Sequence, residues 1–520
     1  MRLMRELRVK TNKDCDMRNY MKCCVSFLLL FVLTLSAFGQ DSNIVGIFPP
    51  KTDSISLQPC EVPGAAEGVK EKVLCGSLSV FENRKPKSGR QIMLKIVVFP
   101  ATGENKLADP VFYIAGGPGS SAIEEAPYVA GDFSKIRERR DLVFVDQRGT
   151  GGSNPLNCEF FSPSDLQSYL GHWNPLVDVR KCREQLELKA DLRLYVTSIA
   201  MDDLDDVRAA LGYKRINLYG GSYGTRAAQV YIKRHGKNVR SAVLHGVSPT
   251  NQLMPIDFAS HTERALNGVL SECETDEGCR AAFPNLRDEV KSVLGKLRGG
   301  PIEVDVKAEQ KGDKIVRVKL SRDLAGEAIR YMLYRSGAAS RIPLILHLAA
   351  AGNFTPLAEA AIYFRREIVA TGSNGMYLSV TCAEDLPWIK ADELGSRWEE
   401  TFLGNYRLRQ QSEACKLWPR GEIPADYFEP VRSSVPVLIL TGLWDPVTPP
   451  LYGDRIAKHL PNSLHVVVPS GGHGFGGLEG LGCISDLTTD FVVKGTAKGL
   501  NTQCVRGIRR KGFVVKIADL

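Results

Sequence analysis

The sequence predicts an α/β protein: a mostly parallel sheet with helices on both faces and an inserted, mainly helical cap. Three observations carry this. Short, mainly apolar runs at 111–114, 142–145, 216–219 and 242–244 have the character of strands buried on both faces. Several end in glycine-rich loops, and amphipathic stretches such as 199–211 lie between them. From about 250 to 430 the period becomes helical before strand character returns at 435–440 and 464–468, so the sheet is expected to be built from two separated parts of the chain.

In chain order, residues 25–35 form a short apolar run behind basic Arg18 and Lys22 and ahead of Ala37-Phe38-Gly39, the pattern of a cleaved export signal covering 1–39. The run is too short to span a bilayer, which takes about 20 apolar residues. Met17 and Met21 are alternative starts to Met1. Residues 40–250 are assigned to the first part of the core, opening with a hairpin at 73–81 and 91–99. Residues 251–430 are assigned to the cap, with helices near 324–334 and 344–351 and a hairpin at 302–306 and 315–320. Residues 431–520 complete the core. No repeat or low-complexity tract interrupts this order.

The chain has 520 residues, 43% hydrophobic and 24% charged, which excludes a multi-span membrane protein and a largely disordered one. Its formal charge is +8, but residues 1–39 hold seven Lys/Arg and three Asp/Glu, leaving +4 afterwards. A balance that small implies no nucleic-acid partner. Of thirteen cysteines, Cys15, Cys23 and Cys24 lie in the leader. The ten that remain fit disulfides in an oxidising compartment. Neighbour pairing gives Cys60–Cys75, Cys158–Cys182, Cys273–Cys279, Cys382–Cys415 and Cys483–Cys504. No CxxC or Cys/His cluster has zinc spacing, and no metal or other cofactor is implied.

Gly220-Gly221-Ser222-Tyr223-Gly224 joins the run 216–219 to a helix-forming stretch and fits a turn that projects a nucleophilic serine. By itself the pentapeptide recurs by chance roughly 0.3 times in a chain this rich in glycine, so its context decides. A serine alcohol needs an imidazole to take its proton and a carboxylate to orient the imidazole. On this kind of sheet the chain order is serine, acid, histidine. Asp445, in the loop after 437–440, is the best-placed acid, with Thr448-Pro449 read as the start of a helix. His473, in Gly471-Gly472-His473-Gly474, is the one histidine of eight in a glycine loop after a strand and beyond the acid. Tyr223 N–H offers one oxyanion donor; the second is expected from Gly117, or Gly116, since Pro118 has no N–H.

These motifs, with Gly116-Gly117-Pro118-Gly119 and Asp146-Gln147-Arg148-Gly149-Thr150-Gly151-Gly152-Ser153, resemble the secreted tripeptidyl-aminopeptidase-like branch of the prolyl aminopeptidase family of α/β-hydrolases. The resemblance runs from about Cys60 to Cys504. It implies an α/β-hydrolase fold and a serine peptidase acting at a free N-terminus, with the loop from Asp146 to Ser153 bracing the site. Prolyl enzymes usually carry a histidine before Gly-Gly-Pro-Gly; Ala115 stands here, which turns the reading away from a strict proline iminopeptidase. Thr381-Cys382-Ala383-Glu384-Asp385 resembles a Cys-x-x-Asp stretch of the branch. It makes Glu384 and Asp385 candidates to pair with the substrate ammonium, against the alternative of a solvated acidic turn.

The expected protein is thus a secreted or periplasmic serine exopeptidase that removes single residues or short peptides through an acyl-enzyme on Ser222. Its partners are peptides with a free N-terminus, with no stable membrane insertion after signal removal. The alternative is a carboxylester hydrolase of the same fold acting on small esters. A silent binding module on a hydrolase scaffold is disfavoured by the complete set of serine, acid and histidine.

Overall fold

The computed structural model describes residues 55–520 apart from 67, 87, 172–174, 309–313 and 391–397. The leader assigned to 1–39 lies outside the described residues. Nine strands form one sheet: β1 (Gln58–Pro63), β2 (Lys70–Phe81), β3 (Gln91–Phe99), β4 (Val111–Ile114), β5 (Leu142–Val145), β6 (Ile216–Gly221), β7 (Val239–His245), β10 (Val437–Gly442) and β11 (Ser463–Val468). The cap hairpin supplies β8 (Ile302–Ala308) and β9 (Lys314–Leu320). The sheet order is β1-β2-β3-β5-β4-β6-β7-β10-β11. From β5 to β11 all pairings are parallel, while β1, β2 and β3 are joined antiparallel, β3 running antiparallel to β5.

Residues of β4, β5 and β10 are buried along their whole length, which is why they read as continuous apolar runs instead of alternating ones. One face of the sheet packs Leu218, Ala227, Tyr231, Met201 and Leu204 together, covered by helices Thr197–Ala210 and Tyr223–His235. The other packs Phe99, Phe144, Val243, Leu438 and Phe491 beneath helices Ala122–Asp132 and Gly482–Lys494. The chain runs from β4 outward to β5, then returns past β4 to β6. This reversal falls at the carboxyl ends of β4 and β6, the place where such sheets hold ligands.

Between β7 and β10 the chain leaves the sheet for helices with a core of their own, including Leu270, Val293, Leu320, Leu346 and Leu357. Leu166, Tyr169 and Leu170, assigned above to the sheet part, pack into this second core, as do Phe513, Val514 and Val515 near the chain's end. The five disulfides are those that neighbour pairing predicts. Among the described residues no helix is long and apolar enough to cross a membrane.

Candidate active site

Ser222 follows β6 at φ 54° and ψ −124°, a conformation an L-residue adopts only when its surroundings force it. The forcing is visible. A Cβ on Gly220 would stand 2.4 Å from the Gly224 carbonyl oxygen, and one on Gly224 would stand 2.1 Å from that of Ile114. Only glycine lets β6, the following helix and the end of β4 approach so closely. Ser222 N–H donates to His245 O at 2.9 Å, and Thr225 N–H and Oγ1–H donate to Ser222 O at 2.9 and 2.6 Å, so the turn is hydrogen-bonded on both sides.

Asp445 and His473 come from loops after β10 and β11, adjacent parallel strands. A Cβ on Gly442 would lie 2.0 Å from Gly472 O, and Trp444 N–H donates to Gly471 O at 2.7 Å, so the loops lie backbone against backbone. The Asp445 carboxylate is fully buried and takes four donors. Oδ1 accepts from Val447 N–H at 2.8 Å and Thr448 N–H at 2.7 Å; Oδ2 accepts from Thr448 Oγ1–H at 2.7 Å and lies 2.8 Å from His473 Nδ1. Burial alone would raise its pKa, but His473 and the Thr448 donors outweigh it and hold the carboxyl down at about 2.

The geometry therefore joins the acid to the imidazole. Among the described residues Ser222 Oγ makes no hydrogen bond, to His473 or otherwise, the loose state in which serine–histidine contacts often stand before substrate arrives. Gly246 spaces the two halves: a Cβ there would meet His473 Cε1 at 3.0 Å. At the loop expected to hold the oxyanion, Gly116 abuts Ser222, since a Cβ on it would lie 3.2 Å from Ser222 Cβ. Gly117 is exposed at φ 107°, a position requiring glycine. Among the described residues neither the Gly117 nor the Tyr223 N–H is bonded to another group.

The loop from Asp146 to Ser153 braces this region from below. Asp146 accepts from Ser121 Oγ–H at 2.6 Å, Ile123 N–H at 3.1 Å and Gly152 N–H at 2.8 Å, tying it to the helix start that follows the oxyanion loop. Arg148, fully buried, forks onto Asp203 at 2.6 and 2.9 Å.

Glu384 and Asp385 require a correction. Both are fully buried, so the alternative of a solvated acidic turn is overturned, and both carboxylates are engaged by the protein itself. Glu384 accepts from Thr197 N–H at 2.7 Å, Thr197 Oγ1–H at 2.8 Å and the Tyr427 hydroxyl. Asp385 Oδ1 pairs with Arg226 at 3.0 Å and accepts from Met254 N–H at 3.0 Å. Burial pushes both carboxyls up, while Arg226 pulls them down. The physical reason is Arg226: four residues after the nucleophile, this buried guanidinium needs an anion, and the end of helix Asn374–Glu384 supplies it. Thr448 likewise differs from expectation. The helix N-cap is Pro449 and the first helical residue Pro450, while Thr448 turns back onto Asp445.

Sequence reasoning missed three neighbours of His473. Thr448 was visible in principle, because an aspartate accepting from the N–H groups two and three residues on is a recurrent turn. Tyr334 meets the His473 ring edge-on at 4.8 Å between centroids, and nothing local in the sequence marks it. His245 stacks on Phe475 at 4.3 Å, and its Nδ1 lies 3.1 Å from the Tyr219 hydroxyl. Burial, then the nearby His473, push the His245 imidazole down to about 4.

Two family models match the chain. One, described as alpha/beta hydrolase fold, covers residues 109–280; the other, described as TAP-like protein, covers 400–504. The serine protease Hip1 of Mycobacterium tuberculosis is 25% identical over 506 residues, covering 88% of this chain and 92% of that protein. The tripeptidyl aminopeptidase of Streptomyces lividans is 23% identical over 468 residues, covering 83% of each. The proline iminopeptidase of Neisseria gonorrhoeae is 27% identical over 138 residues, 26% of this chain and 32% of that one.

Proposed function

We propose, from the premise that the chain is an α/β-hydrolase of the tripeptidyl-aminopeptidase-like branch and a serine peptidase, that it is an exported exopeptidase releasing residues or short peptides from a free N-terminus. The observation that carries this reading is the Asp445–His473 pair at 2.8 Å, held on the loops after β10 and β11 and separated by β7 alone from β6, whose elbow presents Ser222. In this mechanism Ser222 attacks the scissile carbonyl and His473 takes its proton. Asp445 holds the imidazole with Nδ1–H towards itself and stabilises the imidazolium that forms. The N–H groups of Tyr223 and Gly117 receive the oxyanion. His473 then protonates the leaving amine, and water repeats the sequence on the acyl-enzyme. The helical insertion, residues 251–430, roofs the cleft and limits entry to short or unstructured chains. Five disulfides support a destination outside the cytoplasm.

The test compares peptides with free and acetylated N-termini, reading the fragments by mass spectrometry. The expected result is cleavage of the free form alone, loss of turnover by at least ~10⁴-fold in Ser222→Ala with its melting curve unchanged, and fluorophosphonate labelling of the unaltered chain at Ser222. Cleavage that ignores acetylation refutes the exopeptidase reading; cleavage surviving Ser222→Ala refutes the nucleophile.

A further inference from the structure

Three guanidinium groups gather around Glu327 in the helical insertion, with Tyr334 between Arg330 and the imidazole of His473: Arg330 on helix Arg322–Met332, Arg365 on helix Thr355–Thr371 and Arg407 on helix Tyr406–Leu417. Among the described residues the only carboxylate within ion-pair distance of any of them is Glu327, 2.8 Å from Arg330 Nη2 and 3.8 Å from Arg407 Nε. One negative charge thus faces three positive ones, with Arg330 and Arg365 buried. Aromatic faces offset part of the imbalance: Arg330 lies 4.0 Å from the Tyr331 ring centre and Arg365 lies 5.0 Å from that of Phe161.

The donors are not exhausted. Arg330 Nε, Arg407 Nε and Gln411 Nε2 are buried atoms without a hydrogen-bond partner, an arrangement that costs free energy unless something fills it. Arg407 and Gln411 stand one helical turn apart and both engage the Tyr377 hydroxyl, so they share a face. The group is also reachable: Arg407 keeps 19% of its side-chain surface, and Tyr331, Tyr334 and Tyr377 are half-buried. Tyr334 connects it to the chemistry, accepting from Arg330 Nη1 at 2.7 Å at one end while its ring meets His473.

We propose that Arg330 and Arg407 form a carboxylate subsite of the substrate cleft, so that the chain favours peptides bearing a carboxylate within roughly three residues of the scissile bond. Planar forks of N–H donors match a carboxylate in shape as well as charge, and a net positive, partly desolvated pocket rewards an anion more than any neutral group. The carboxylate is either the C-terminus of a short peptide or an Asp or Glu side chain. This inference rests on the peptidase reading above, and its test separates the two.

Binding is measured by calorimetry on the Ser222→Ala chain, where turnover does not interfere. One pair of ligands is tetra-alanine as free acid and as C-terminal amide; the other is Ala-Ala-Glu-Ala-amide and Ala-Ala-Gln-Ala-amide. The expected result is at least fivefold tighter binding of the acid form in one pair, which names the source of the carboxylate. The preference should fall below twofold when Arg407→Gln is added and be intermediate with Arg407→Lys. Acid and neutral forms binding within twofold of each other in both pairs, or a preference that survives Arg407→Gln, overturns the subsite. Should Arg407→Gln fail to fold, the ligand pairs alone decide. Turnover of the same peptides by the unaltered chain is scored separately: acid-selective binding without cleavage refutes the peptidase and leaves the subsite, and cleavage without selectivity does the reverse.

Discussion

Asp445 and Glu327 are both buried carboxylates, the first bonded to His473 and the second linked to it through Arg330 and Tyr334, and their surroundings treat them differently. Asp445 takes four donors, three of them from its own loop, and every lone pair has a fixed partner. Glu327 takes one hydrogen bond, from Arg330, and its Oε1 has none. The first environment is complete without substrate, as an orienting group must be, since donors fixed in advance need no rearrangement at the moment of reaction. The second is incomplete, which suits a place where something else arrives. On the proposed reading, catalysis and recognition differ in how far each carboxylate's hydrogen bonding is satisfied within the chain.

The sharpest way to break this contrast is at Asp445. Asp445→Asn is expected to lower kcat by about 10⁴-fold with the fold retained, because the amide cannot hold the same imidazole tautomer. A loss under tenfold in steady-state assays would show that the four donors serve structure alone. The carboxyl's depressed pKa adds a sign: its contribution to stability is present above the ordinary aspartate range and is lost as pH falls through about 2.

The next effect tests whether backbone approach, rather than side-chain chemistry, sets the elbow. Gly224→Ala puts a methyl 2.1 Å from Ile114 O and is expected to cost more than ~3 kcal/mol by denaturant titration, while Gly221→Ala meets nothing closer than the Tyr113 hydroxyl at 3.8 Å and should cost under ~1 kcal/mol. Equal costs would deny the elbow its close approach.

The smallest effect belongs to His245. Its folded pKa near 4 lies below the ordinary value of 6.5, so the unfolded chain binds more protons between the two, and stability must fall as pH drops from about 6.5 to 4. His245→Phe retains an aromatic ring against Phe475 and removes the titration; it should flatten that slope by on the order of 2 kcal/mol, read from melting curves across the window. An unchanged slope would place the proton-linked loss elsewhere.

Much of the sheet was legible because its strands are buried on both faces and its loops need glycine, two signals that survive in a single sequence. The five disulfides were legible because each closes a short stretch, from 6 to 33 residues. The burial of Glu384 and Asp385 was not legible because burial of a charge depends on its partner, and Arg226 lies 159 residues away from Asp385. Arg330 and Arg407 were invisible for the same reason: their meeting is made by packing between helices, and either residue alone looks like an ordinary surface cation.

The segment between helices Arg322–Met332 and Ser336–Ala339 is hydrogen-bonded directly to the loop that carries the base. Gly474 N–H donates to Tyr334 O at 2.7 Å, Gly472 N–H to Ser336 Oγ at 3.2 Å, and Ser336 Oγ–H to Ser470 O at 2.9 Å. Roof and engine thus share a hinge pin. On the proposed reading, a polypeptide thick enough to pry the insertion upward would drag the imidazole out of line before it could be cut, so one set of three bonds would couple access to chemistry.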